Sequence, residues 1–405
     1  MRKYLLLTLL SSSPFLSNGQ AFKVGVFWPP VWRDTNEDQY RRLSEAYVDV
    51  VQNSDGTDLN TPEKNLKMLD LAKKFGMKVC VFDKRIKGSE KDIRDMVETY
   101  QAHSATDGYF IQDEPHPGDL VWAARTYRTV ASLDKSRVPY VNLFPVFAVK
   151  NYETDYVDKW IGMAGPGTVK YLSFDNYPFR YRGQLQTTYF SNLDIIRRTG
   201  LKYQIPTSCY LQSFGLVGFH DLPDENRMRF NAYSTLAYGF KNLTWFCYGT
   251  PTRQGNQKYM NCVIDSLGTP TALYPSFQRI NKEMRFLGRT LKYLDAIEVF
   301  HSGDSLWAGT ERLPETFPVQ PTDLTAPLIF SRMKDRRGKK EWLMVVNRSF
   351  KKGGLFGFKK DASVVSFREV SKEDGRARRV DIGQLSFLPG EGRLFEVIRR
   401  VTTTK

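Results

Sequence analysis

A (β/α)8 barrel followed by a small C-terminal antiparallel β-sandwich is the fold class predicted for this 405-residue chain. Three observations predict it. Eight short β-branched and aromatic runs alternate with helical patterns over roughly 250 residues, the size of such a barrel. No glycine-rich phosphate loop follows the first run, which disfavours a doubly wound open sheet. Beyond about residue 300 the texture changes to short alternating runs separated by turn residues.

The first strand, residues 22–28, is stopped by Pro29-Pro30, and the second covers residues 46–52. The helix after it is delimited on both sides: Thr61 is its N-cap, Pro62 its first helical residue and Gly76 its stop. Residues 78–83 make the third strand and residues 109–112 the fourth. The fifth to eighth follow at residues 139–145, 171–175, 203–210 and 243–248. A closing helix carries Phe277, Ile280, Met284, Leu287, Leu291 and Leu294 on one face, at three/four spacing. Residues 313–321, rich in proline, form a linker or long loop. Strands at 328–332, 341–347, 363–370, 384–388 and 393–398 then compose the sandwich. The expected division is a leader over 1–20, a barrel over 21–300 and a β-domain with its linker over 301–405.

Arg2 and Lys3 followed by an apolar stretch, and then by small and polar residues up to Ala21, have the pattern of a cleavable signal peptide. The apolar stretch is too short to span a bilayer, and no later segment is apolar enough to do so. The expectation is a periplasmic or secreted protein with no membrane span. The formal charge is +15, and residues 331–405 hold 20 Lys/Arg against 9 Asp/Glu. These basic residues are scattered between strand-like runs, so a solvated surface is the default reading, and export argues against a nucleic-acid partner. Docking on an acidic polysaccharide through this region is compatible with either function considered below. Cys80, Cys209, Cys247 and Cys262 lack metal spacing and read as packed thiols. The four histidines are isolated, so no metal site and no cofactor are expected.

Residues 108–115 read Gly-Tyr-Phe-Ile-Gln-Asp-Glu-Pro: a buried strand ending in two adjacent carboxylates and closed by proline. Burying one carboxylate is costly, and a second at contact distance resists joint ionisation. A protonated acid beside an ionised partner is what cleavage of a glycosidic bond requires. Neighbouring strand residues point to opposite faces, so Asp113 and Glu114 share a site only if the strand bends or bulges there. The reactive residues of a (β/α)8 barrel lie at the C-terminal ends of its strands. The polar and aromatic residues there are Trp28, Gln52, Asn53, Asp83, Asn142, Asp175, Tyr177, Gln212 and Tyr248. Amides and aromatic rings around several carboxylates suit a carbohydrate substrate, to which aromatic faces stack. The 14% aromatic content leans the same way.

Glu114-Pro115 at the end of the fourth strand resembles the Asn-Glu pair, often followed by proline, of clan A glycoside hydrolases, with Asp113 where they carry Asn. That clan places a nucleophilic Glu at the end of the seventh strand, whereas residues 206–213 here contain no acid. The Tyr-x-x-Asp-Glu-Pro pattern is similar to glycoside hydrolase family 123, which uses an adjacent Asp–Glu dyad and the 2-acetamido oxygen of the substrate as nucleophile. The resemblance implies that Asp113 orients that amide and Glu114 is the acid/base. Phrases at 141–145, 172–178 and 237–239 resemble secreted bacterial barrel proteins of glycoside hydrolase type, and 388–395 resembles the end of the β-domain of many glycosidases. The reading is an exported O-glycosyl hydrolase with Glu114 as acid/base, Asp113 as electrostatic or amide-orienting partner, and Asp175 in reserve as base or sugar ligand. The alternative is a non-catalytic carbohydrate-binding barrel, favoured by the missing acid on the seventh strand.

Overall fold

A computed structural model describes residues 21–251, 255–338 and 340–400; the leader expected over residues 1–20 lies outside them. Eight strands, β1 (Lys23–Phe27), β2 (Val50–Gln52), β3 (Lys78–Val81), β4 (Thr106–Asp113), β5 (Val138–Leu143), β6 (Leu172–Asp175), β7 (Thr207–Gln212) and β8 (Asn242–Phe246), pair in parallel in sequence order. β1 closes the barrel on β8, with Lys23 opposite Asn242 and Phe27 opposite Phe246.

Helices α1 (Glu37–Glu45), α2 (Pro62–Lys74), α3 (Glu90–Tyr100), α4 (Leu120–Leu133), α5 (Lys159–Ala164), α6 (Tyr189–Tyr203), α7 (Glu225–Ala237) and α8 (Tyr274–Leu291) surround it. α2 starts as its sequence dictates: the Thr61 side chain accepts from the Lys64 N–H, Pro62 occupies the first turn, and Gly76 follows the helix at φ +75°. Capping of this kind removes an orphan backbone donor.

The chain continues through β9 (Leu294–His301), β10 (Val319–Pro321), β11 (Leu328–Asp335), β12 (Glu341–Asn347), β13 (Gly354–Phe356), β14 (Phe358–Lys360), β15 (Val364–Val370), β16 (Ala377–Val380), β17 (Leu385–Phe387) and β18 (Gly392–Arg399). Six of these form an antiparallel sheet in the order β16-β15-β18-β12-β11-β9, and β10-β14 and β13-β17 are two-stranded ribbons. Leu294, which the helical spacing assigns to the closing helix, opens β9 instead. Its backbone groups find partners on β11, where Leu294 faces Asp335.

Strand alternation splits the residues of this sheet between two cores. Ile329, Met333, Met344 and Leu394 pack with the barrel, where α7 lies against β11, β12 and β18. Leu328, Phe330, Val345 and Phe395 pack instead with Phe317, Phe358 and Phe387 from the ribbons and their approaches. With core on both faces, the sheet is joined to the barrel by apolar packing, and α7 is buried on every side from Met228 to Ala237. All four cysteines are buried free thiols. Among the described residues no helix is long and apolar enough to cross a membrane.

Candidate active site

β4 delivers both carboxylates to the barrel mouth because it is irregular. Gly108 allows it to approach β5 closely: a Cβ there would sit 1.9 Å from the Val138 carbonyl oxygen. The β4–β5 register then shifts between Phe110 and Gln112. At the strand end Glu114 takes a left-handed conformation, φ +43°. A bulge and a reversed φ together undo the alternation that would place Asp113 and Glu114 on opposite faces. A non-glycine residue in this region costs about 1–3 kcal/mol and persists only where its surroundings hold it. Here the Glu114 N–H donates to the Asn142 carbonyl at 2.8 Å, and the Tyr156 hydroxyl donates to the Pro115 carbonyl at 2.7 Å.

Asp113, Glu114 and Asp175 form one cluster. The Asn142 amide, at the end of β5, donates to Asp113 Oδ1 and to Asp175 Oδ1, each at 3.1 Å, and its own oxygen accepts from the Ser173 hydroxyl. Glu114 and Asp175 lie close enough for their carboxyls to share a proton. Asp113 opens to solvent at the mouth while protein encloses it on its other sides; Glu114 is half-buried and Asp175 buried. Enclosure, and secondly the charge of Asp175, push the Asp113 carboxyl up to about 7. Burial first, then the charge of Asp113, raises Glu114; burial first, then Glu114, raises Asp175. Among the described residues no Lys or Arg figures in the main influences on these three carboxyls. Three carboxyl groups so close, with no cation beside them among the described residues, hold at least one proton near neutral pH.

Two more of the expected residues border the cluster's mouth. Tyr177, two residues beyond Asp175, stacks on Phe246 with ring centroids 5.7 Å apart. Trp28, at φ +58°, lies edge-on to Phe246 at 5.0 Å, and its indole N–H donates to Ser54 Oγ at 2.9 Å. Gln52 is buried inside the barrel, where its side-chain oxygen accepts from the Tyr210 hydroxyl at 2.7 Å.

The other four are taken up elsewhere. Asn53 is fully buried and braces the β2–α2 loop, donating to the Leu59 carbonyl and accepting from the Thr57 hydroxyl. Asp83 accepts from Arg85 and from the Tyr100 hydroxyl; burial works to raise its carboxyl, but these hydrogen bonds outweigh it and hold it low. The Gln212 amide donates to the carbonyls of Phe179, Phe214 and Asp221 and accepts from the Phe179 N–H, tying two loops together. Tyr248 is buried against Phe277, its hydroxyl directed at Gln39.

The residues that strand-end reasoning missed are Phe246, Phe214, Tyr259 and Tyr156. Tyr259 packs edge-on to Trp28 at 6.3 Å from the segment between β8 and α8. The unusual length of that segment is the sequence signal that could have found it, since long ordered loops concentrate at functional sites.

No family model matches the chain, and no curated protein matches it by sequence. Among solved structures, a β-galactosidase from Bacillus circulans sp. alkalophilus is similar at a TM-score of 0.61 and 10% identity, over 93% of this chain and 99% of that one. A family 39 glycoside hydrolase from the gut symbiont Bacteroides cellulosilyticus WH2 is similar at a TM-score of 0.53 and 11% identity, over 94% and 81% of the two chains. A β-galactosidase from the psychrophilic Marinomonas ef1 is similar at a TM-score of 0.53 and 10% identity, over 67% of this chain and 62% of its own length. The chain thus has the barrel-plus-sheet fold of these glycoside hydrolases.

Proposed function

We propose that this protein is an exported glycoside hydrolase that cleaves O-glycosidic bonds in an oligo- or polysaccharide. The observation that carries the reading is the cluster of Asp113, Glu114 and Asp175 at the aromatic mouth of the barrel, which no Lys or Arg among the described residues neutralises. Glu114, its proton held by burial and shared with Asp175, donates it to the leaving oxygen as the C1–O bond breaks. Contact between Glu114 and Asp175 is closer than the roughly 5–5.5 Å that separates an acid from a nucleophile across the scissile bond. Asp175 therefore positions the proton rather than attacking the sugar.

Since β7 ends in the fully engaged Gln212, the nucleophile comes from the substrate: the carbonyl oxygen of a 2-acetamido group attacks C1 while Asp113, held by Asn142, accepts the amide N–H. Water then opens the cyclised sugar, with Glu114 taking its proton. A screen of aryl glycosides tests this. Turnover of N-acetylhexosaminides, with inhibition by a thiazoline mimic of the cyclised sugar, is expected. Hydrolysis of plain hexosides alone would return Asp175 to the role of second catalytic carboxylate. Binding of glycans with turnover of none would favour a carbohydrate-binding barrel, the reading that the acid-free β7 supports. The mature N terminus, sequenced from protein outside the cytoplasm, should lie close to Ala21.

A further inference from the structure

A cavity of about 520 Å³ opens beside Trp28, between the segments that follow β1, β2 and β8; Trp32, Leu59, Asp58, Arg33 and Thr250 contribute to its wall. The carboxylates come from β4 and β6, on the other side of the barrel. Strands about 4.8 Å apart and tilted about 36° put opposite sides of an eight-stranded barrel roughly 15 Å apart. A chain of several sugars held at the carboxylates can extend into the cavity.

The ground between is paved with rings. Tyr177 stacks on Phe246 at 5.7 Å, Phe246 meets Trp28 at 5.0 Å, and Trp28 borders the cavity. These three rings are half-buried, so each keeps part of its surface toward the mouth. Trp28 is fixed as a platform: Ser54 holds its indole N–H, and Gly56 lies so close that a Cβ would stand 3.0 Å from the ring. Trp32 is steadied by the ammonium groups of Lys67 and Lys64, at 4.5 and 5.4 Å from its centre. Apolar ring faces with a few charged and hydroxyl groups at the edge, in a volume of this order, make a ligand site. Rings for C–H faces, with Asp58 and Arg33 at the edge for hydroxyls, match a pyranose.

We infer that this cavity is a distal sugar subsite, and that the substrate is an oligosaccharide running from the carboxylates over Tyr177, Phe246 and Trp28 to Trp32. The inference rests on the glycosidase reading for the position of the scissile bond, but the subsite is testable by binding alone. Remote binding of this kind raises turnover of long substrates over short ones.

The probes are cello-, xylo-, galacto- and chito-oligosaccharides of increasing length, titrated into the full-length Glu114→Gln protein and offered to the active protein beside an aryl monoglycoside. Affinity should climb with length once the chain spans the mouth. Trp32→Ala should lower the ratio of kcat/KM for long over short substrates by about tenfold or more, as loss of a ring anchor does. Trp32→Phe should restore part of it. Val31→Trp, which fills the cavity from an exposed position, should act like Trp32→Ala without disturbing a packed side chain. A ratio unmoved in folded Trp32→Ala and Val31→Trp proteins, or affinity independent of length, overturns the subsite. Length-dependent binding that needs Trp32, in a protein that cleaves nothing, upholds the subsite and overturns the catalytic reading.

Discussion

β4 carries an acid near each of its ends, and the two ends are built in opposite ways. At the base of the barrel, Asp107 accepts from Lys23 Nζ at 2.6 Å and from the Tyr140 hydroxyl at 2.7 Å. Burial works to lower the Lys23 ammonium, yet Asp107, with smaller contributions from Tyr171 and Cys80, outweighs it and holds the ammonium above its ordinary value. At the mouth, Asp113 and Glu114 meet no such cation among the described residues; their neighbours are another carboxylate and an amide. The same chemical group on the same strand is a brace where a counter-charge meets it. It is a proton store where none does.

The largest effects should separate the two ends. Glu114→Gln should cut turnover of an unactivated glycoside by about 10²–10⁴-fold in a protein that still folds, and spare in part an aryl glycoside with a good leaving group. Asp107→Ala should do the reverse. It strands a buried ammonium and should cost about 3–5 kcal/mol in urea unfolding, with turnover per folded molecule retained. A folded Asp107→Ala protein without activity, or equal loss on both glycosides in Glu114→Gln, breaks the contrast.

The two ends should also differ in pH response. Asp113 rises from 3.8 to about 7 on folding, so between those values the folded chain binds more protons than the unfolded one. Its contribution to stability is full below about 3.8 and is lost as the pH rises through about 7. Glu114, the proton donor, is raised to about 7 as well, so activity should fall over the same upper limb. Thermal unfolding across this range should show Asp113→Asn gaining on the unmodified protein as pH rises; a constant difference would mean that Asp113 is an ordinary surface acid. Lys23 behaves otherwise, because its raised value preserves its contribution until the pH passes 10.5.

Smaller effects should come from the neutral partners. Tyr140→Phe removes one hydrogen bond from Asp107 and should cost about 1 kcal/mol, with no change in the pH profile. Asn142→Ala removes the donor that lowers both Asp113 and Asp175. Its alkaline limb should therefore move to higher pH, with turnover down about tenfold, as for loss of a hydrogen bond to a charged group. Unchanged profiles in both variants would show that Asn142, like Tyr140, only braces.

Much of this was legible before any tertiary structure. The eight barrel strands follow from apolar runs bounded by turn residues, and α2 from Thr61, Pro62 and Gly76. Adjacent carboxylates before Pro115 single out the end of β4, because two acids side by side are expensive wherever they are buried. Position at a strand end did not separate Asn142, which holds two carboxylates, from Asn53 and Gln212, whose amides tie loops together. Spacing likewise drew Leu294 into a helix that stops before it, since one apolar residue fits either period.

What the sequence by itself determined is what local rules decide: where strands and helices begin and end, which face of each is apolar, and that acids stand at the mouth. Only the tertiary structure decided which partner each polar group meets. The bulge in β4 and the left-handed Glu114 depend on β5, the ring path on a distant segment that brings Tyr259 to Trp28, and the fate of each acid on whether a strand far along the chain offers a lysine or another acid. A carboxylate's protonation is set by neighbours a few ångströms away in space, and those neighbours are fixed by packing rather than by order along the chain.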